Sequence, residues 1–270
     1  MSKLNDIFYS LKLNYKSWLC FFIAIYFLYT HNIIIGIVNF VIFFLLSYFG
    51  HYISHTNFIK IFNPIHTYHH KINNWFSFIT ELLYEFVMAT AFTFLKISVL
   101  FILNNNYFEY ILQYINIPLN FLIFMFYTSV HYINYSYLHI NNVHELHHKN
   151  IHKNLGPDIC DIIFETKYSI ENTIENTDHY IPNILISLII IYCVYQFYKN
   201  SNLKNIFKYI FFYIYLFSLI ILFVSNIHIF INIFYKKIKN NNKKLKRKCK
   251  KLKKTIKKLK TELKTELKTD

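Results

Sequence analysis

Apolar residues along this chain come in long runs, separated by short polar segments. The first run, residues 17–50, is interrupted at Thr30, His31 and Asn32. As a single helix it would extend about 50 Å at 1.5 Å per residue, too long for one crossing of a hydrocarbon core about 30 Å thick, so a hairpin of two shorter helices is expected. Four further runs follow at 86–103, 118–135, 181–198 and 206–234. Pro118 and Ile181-Pro182 mark two of the helix starts. Lys96, inside the first of these four, must snorkel or face protein. Lys3, Lys12 and Lys16 precede the hairpin and no small-residue cleavage site follows, which reads as a retained anchor. The pattern predicts an all-α, polytopic membrane helical bundle with about four to six membrane-embedded helices.

Composition supports lipid as the solvent. Hydrophobic residues make up 54% and aromatics 20%, with only 3 Gly and 4 Pro. That is more apolar surface than a globule of this size can hide. The formal charge of +15 is concentrated at one end: residues 236–270 carry 17 Lys/Arg against 3 Asp/Glu, a net +14, which leaves +1 for residues 1–235. The chain therefore divides into a membrane-embedded body, 1–235, and a Lys-rich tail, 236–270, amphipathic or disordered. The high pI does not describe the body, and no nucleic-acid partner is expected. Cys20, Cys160, Cys193 and Cys249 contain no CxxC pair and form neither a disulfide framework nor a zinc knuckle.

The polar segments are 51–80, 104–117, 136–180 and 199–205. Two runs separate 51–80 from 136–180, and two more separate 136–180 from the tail. All three then lie on one side, and the Lys-rich tail assigns that side to the cytoplasm.

Eight of the 14 histidines fall in three patterns within those segments. His51 and His55 form HxxxH; His66, His69 and His70 form HxxHH; His144, His147 and His148 form HxxHH again. Residues i, i+3 and i+4 share a helix face, so each group projects imidazoles in one direction. Neutral imidazole is a good ligand for iron or zinc. Eight are too many for one ion and suit two. His139 and His152 flank the third group; His31, His179 and His228 lie off the pattern and read as interfacial or structural.

The order HxxxH, HxxHH, HxxHH among apolar runs resembles the fatty acid hydroxylase/sterol desaturase superfamily over residues 51–166. Downstream of the third box the family carries Asn-aromatic-Gly, Trp-Asp and Phe-Gly-Thr. Here Asn154, Gly156, Asp161, Phe164 and Thr166 match, while Leu155, Cys160 and Glu165 depart and the spacer is shorter. The resemblance implies a non-haem di-iron centre that uses dioxygen and two electrons to oxidise a C–H bond of a fatty acyl, sphingolipid or sterol substrate. A lipid hydroxylase is the leading expectation. A desaturase or C4-methyl oxidase of the same superfamily is the nearest rival, and a non-enzymatic membrane anchor with a polybasic tail is the alternative from another class.

The resemblance also implies His131 as a ligand upstream of the third box, with Asp161 and Asn154 as supporting residues. Glu81 and Glu85, spaced i,i+4, are weighed as supports or as a solvated rim, and Glu145 should point away from the ligands. The chain shows no haem or dinucleotide motif, so electrons should come from a separate donor, cytochrome b5 and its reductase. The endoplasmic reticulum is the expected location, with the boxes and tail cytosolic, and zinc occupancy would be unsurprising in isolated protein. In the tail, Ile238, Leu245, Cys249, Leu252, Ile256, Leu259 and Leu263 recur at steps of seven, four and three, a heptad seam. Like charges flank it, so the expectation is a basic helix lying on anionic lipid rather than self-pairing.

Overall fold

The computed structural model describes residues 3–29, 32–55, 63–72, 74–103, 115–168, 174–200 and 204–266. Among these every regular element is helical. In chain order they are α1 (Lys3–Leu13), α2 (Tyr15–Leu28), α3 (Ile33–Ser54), α4 (Asn63–His69), α5 (Trp75–Leu103), α6 (Ile117–Ser129), a π-helix (Val130–Tyr137), α7 (Val143–Lys149), α8 (Asp158–Ile163), a short 3-10 turn (Thr177–Tyr180), α9 (Ile181–Asn200) and α10 (Lys204–Glu266). Among the described residues four stretches are long and apolar enough to cross a membrane: Ile33–Ser54, Trp75–Val99, Thr177–Lys199 and Ile206–Lys253. The chain divides into two compact units, Met1–Phe223 and Val224–Asp270.

Several elements follow the sequence pattern. Helices α2 and α3 are separate, and the Asn32 side chain starts the second by accepting from the amides of Ile34 and Ile35 at 3.0 and 3.3 Å. Asn116 caps α6 through the Leu119 amide at 2.9 Å, and Pro118 occupies its first turn, where the missing N–H costs nothing. Other boundaries differ from expectation. Helix α5 begins at Trp75 rather than at 86, because Ser77, Thr80, Glu81 and Glu85 are buried against protein and their polarity does not end the helix. The run 118–135 is α-helical only to Ser129 and then widens into the π-helix. The run 206–234 does not stop where the lysines begin but continues as one helix to Glu266.

Within the first unit, α6 is the central post. It is apolar all round, as a helix surrounded by others should be, and packs against α2, α3, α5 and α9. Leu119, Leu122, Ile123, Phe126 and Val130 join Phe21, Phe40 and Phe44 in one core. Phe21 and Phe126 meet edge to face at 4.9 Å. Several buried polar groups between these helices find partners. Asn120 donates to the Thr93 hydroxyl at 2.7 Å, the Asn116 amide donates to Asn39 at 3.1 Å, and Lys96 faces protein, donating to the Ile115 carbonyl at 2.8 Å. Helix α5 also lies along the first part of α10, where Phe94 and Tyr215 stack with centroids 4.0 Å apart.

The loop after α7 is locked onto α3 through Tyr48. That ring stacks on Phe164 at 5.0 Å, and its hydroxyl shares a 2.7 Å hydrogen bond with Thr166. Gly156 sits against it so closely that an added Cβ would meet Tyr48 Cδ2 at 2.9 Å. A stacked, hydrogen-bonded ring has no free direction in which to yield. Gly156→Ala should therefore destabilise the fold by about 1–3 kcal/mol, the usual cost of overpacking, read as a lowered thermal midpoint in detergent.

Candidate metal centre

Each histidine group is set by its helix. His51 and His55 stand one turn apart at the C-terminal end of α3, which stops at Ser54. His66 and His69 lie on α4 and His70 just past it, while His144, His147 and His148 lie on α7. His131 is the second residue of the π-helix, an element often found at functional sites. Together these elements bring all nine expected imidazoles to one place.

They gather in two groups. His51, His55, His66, His70 and His147 offer ligand atoms within 4.8 Å of one another, and His69, His131 and His144 form a second such set. His148 lies against both: its Nε2 is 2.9 Å from His144 Nε2, and its ring centroid is 4.3 Å from that of His70. The HxxHH spacing explains the division. In the second box the i,i+4 pair His66 and His70 serves the first set while His69 turns to the other. In the third box His147 joins the first set and His144 the second.

The hydrogen bonds fix which nitrogens face inward. His147 Nδ1 donates to the Lys153 carbonyl at 2.7 Å, and His66 Nδ1 donates to Glu81 Oε1 at 2.5 Å. Each neutral ring then carries its lone pair on Nε2. Those two Nε2 atoms both point at His55 Nε2, 3.2 and 3.0 Å away, and His51 and His70 add further Nε2 contacts of 3.2 and 3.1 Å. His131 Nδ1 donates to Glu85 Oε1, leaving its Nε2 buried without a partner, as is His69 Nε2.

Lone pairs crowded in this way could share a cation. Two nitrogens each about 2.0–2.1 Å from one ion stand roughly 3 Å apart, which is the spacing these nitrogens already have. The donor set is all imidazole, suited to iron or zinc, and its outer N–H groups are held by carboxylate and carbonyl as metal-bound histidines usually are.

Protons are poor substitutes for that cation. Burial, reinforced by neighbouring imidazoles, lowers His148 to about 4 and His55 to about 2. Burial also lowers His69 to about 4 against the opposing Glu81 charge, and His147 to about 3 against the Lys153 carbonyl. His70 and His144 move the same way.

The supporting residues differ from those the sequence favoured. Asp161 bonds no imidazole. Its carboxylate accepts from the Leu155 and Gly156 amides at 2.9 and 3.3 Å and from Thr166 at 2.6 Å, so it organises the loop beyond α7. Burial raises it to about 6. Asn154 also acts on backbone, donating to the Val143 carbonyl at 3.2 Å and so steadying the start of α7. The carboxylates beside the imidazoles are Glu81 and Glu85, both buried on α5. Their i,i+4 spacing was the available signal, and its reading as a solvated rim is excluded by their burial.

Tyr127, whose hydroxyl is 3.1 Å from His51 Nδ1, and the Lys153 carbonyl had no sequence signal. Glu145 points outward to Lys149 at 2.7 Å. His139 and His152 are exposed and stand in neither set. His179 pairs with Glu175 at 3.3 Å, His228 meets Asn232 at 2.9 Å, and His31 lies outside the described residues.

Beside the first set lies a cavity of about 220 Å³ between α3, α5 and α6. His51, His66, Glu81 and Glu85 contribute to its lining, which is otherwise mostly apolar, with Phe43, Leu46, Met88 and Phe92 among its residues. Comparison of the chain with protein-family models, curated proteins and solved structures found no match.

Two outcomes follow. Glu81→Gln and Glu85→Gln, which keep shape but lose the charge behind His66 and His131, should each weaken metal binding about 10–100-fold, measured by chelator competition. Metal-free protein should lose stability as pH falls from the ordinary histidine value of 6.5 toward about 4. Over that window the unfolded imidazoles take up protons that the folded ones refuse, so protonation favours unfolding. Thermal melts of chelator-treated protein across this range measure it.

Proposed function

We propose that this chain is a membrane lipid hydroxylase whose histidine groups hold two iron ions and whose substrate is an acyl, sphingolipid or sterol chain. The observation that carries the reading is the junction of two features. Two all-imidazole sets lie side by side, and His51 and His66 of the first line a mostly apolar cavity between α3, α5 and α6, of which α3 and α5 are long enough to span a bilayer. A polar or phosphorylated substrate would find few partners along that wall, whereas a hydrocarbon chain loses nothing on entering it.

His51, His55, His66, His70 and His147 would hold one ion, and His69, His131, His144 and His148 the other. When bound, such a pair supplies the activation of dioxygen, with two electrons from a separate donor such as cytochrome b5 and its reductase. The chain's own tasks are positioning and exclusion. Glu81 and Glu85 keep the Nδ1 protons of His66 and His131, which leaves each Nε2 free to coordinate. Tyr84 and Tyr127, with Phe43 and Phe92, wall the cavity and keep bulk water from the reacting carbon. Tyr127 also places a hydroxyl between the cavity and His51 Nδ1. In this reading the histidine groups and the tail face the cytosol, and the endoplasmic reticulum supplies the membrane and the electron donor.

The test pairs metal analysis with lipid profiling of wild type and His69→Ala, each expressed in a host lacking the chain. Wild type should carry close to two irons and produce hydroxylated lipid; His69→Ala should lose about half the metal and all of the product. An unchanged lipid profile in His69→Ala, with function lost only on deletion of 236–270, would make the chain an anchor instead.

A further inference from the structure

The tail carries an ordered seam that the metal centre does not use. Ile238, Leu245, Leu252 and Leu259 stand seven residues apart, and Asn242, Cys249, Ile256 and Leu263 form a second series offset by four. In heptad terms the first series is d and the second is a. Leu at d with a β-branched Ile at a suits a parallel two-stranded coiled coil, and a single Asn at a fixes register and strand number. Helix α10 runs through the whole seam, ending at Glu266. Where the side chains are described the seam is bare: Ile238 is 43% exposed, and Leu245 and Leu252 are each 61% exposed. Lys and Arg recur at i,i+4 (Lys243 with Arg247, Lys246 with Lys250), which weakens such a helix standing alone. A partner that covers the seam would offset this.

We propose that residues 235–263 pair with the same segment of a second copy of this chain as a parallel, in-register coiled coil. Two features choose this occupant over a lipid surface. A helix lying on the bilayer must turn where it leaves the apolar run, and Asn240, Asn241 and Asn242 would favour such a break. The helix is unbroken through them, so no turn separates the seam from the largely apolar residues 224–235 of the same unit. Two copies held in one membrane then present their seams at the same height and in the same direction, which raises their effective concentration for each other.

The charge objection is smaller than the net +14 suggests. In a parallel pair each g residue faces an e residue five positions on. Asn241 meets the partner's Lys246 and Thr255 meets the partner's Lys260, so Lys248 facing the partner's Lys253 is the one like-charged pair among these three. The remaining lysines at b and c point away from the seam and are screened within about 8 Å at physiological salt.

Cys249 at an a position provides the test, which does not depend on the proposed reaction. In full-length chain with the exposed Cys193 changed to Ser, mild oxidation in reconstituted membranes should give a disulfide-linked dimer through Cys249. Moving the thiol to the outer face, with Cys249→Ser and Arg247→Cys, should cut the dimer at least tenfold. Leu245→Asp with Leu252→Asp, both exposed positions, should abolish it. The yield should be the same in vesicles of phosphatidylcholine alone and in vesicles containing phosphatidylserine. Equal cross-linking at 247 and 249, or none at either, overturns the proposal. So does a dimer that survives the double Asp change, or one that vanishes when phosphatidylserine is present, which would assign the seam to the lipid surface.

Discussion

The inward-facing lone pairs of the buried imidazoles are the constraint around which the first unit is built. With His66 donating to Glu81 and His147 to Lys153, their Nε2 atoms can only accept, and both face His55. Acceptors at this spacing repel one another unless an Nε2–H of a neutral ring or a cation lies between them; one such hydrogen on His55 cannot fully serve two acceptors, and burial disfavours a further proton. The arrangement is unfavourable by itself, so the surrounding helices must hold it together. That requirement explains why polar anchors are concentrated around an otherwise apolar bundle. Glu81 and Glu85 are buried where an apolar residue would pack more easily, and each is committed to one imidazole.

The departure of the chain from regular α-helix follows from the same requirement. Helix α6 must stay apolar on every side to fill the space between α2, α3, α5 and α9, yet its extension must deliver His131 toward Glu85 and α7. Widening to a π-helix at Val130 changes the direction in which successive side chains point. His131 can then turn inward to Glu85 while Asn134 turns to the His179 carbonyl at 2.9 Å. The sequence VHYINYSY carries no proline or glycine to announce this change, so the pattern alone reads as an uninterrupted run.

What was legible and what was not divides along the range of the interaction. The spacing of the HxxxH and HxxHH groups is local, and so was the expectation that each would present its rings on one face. Asn32, Pro118 and Pro182 are local too, and helix starts stand beside them. The side chains that support the rings are set by distant packing, and composition cannot rank Asp161 against Glu81 or Glu85. Asp161 is a buried carboxylate close in sequence to the third box, but the loop turns it toward Leu155, Gly156 and Thr166. Glu165 makes the same point. It occupies left-handed backbone at φ 61°, where a glycine would sit without strain, and its side chain reaches Lys3 at 2.9 Å. A contact between residues 162 positions apart leaves no trace in the local pattern.

Helices α1 and α2 contribute no imidazole to the histidine cluster, yet they help to place it. The Glu175 carboxylate accepts from Tyr135 at 2.6 Å, Tyr180 at 2.9 Å and Asn141 at 2.6 Å, and the Tyr135 ring lies parallel to His144 with centroids 5.7 Å apart. One carboxylate therefore ties the π-helix to the approach to α7 and backs a ring of the second set. Glu175 is itself placed from below: Asn14 donates to its carbonyl at 3.0 Å and accepts from the Thr177 amide at 2.8 Å, while Ser17 donates to the Thr177 carbonyl at 2.8 Å. Because α1 and α2 hold this stretch through backbone as well as side chains, the position of His144 depends on residues more than a hundred positions away. Helices α1 and α2 thus belong to the histidine cluster in mechanical terms, although they carry none of its rings.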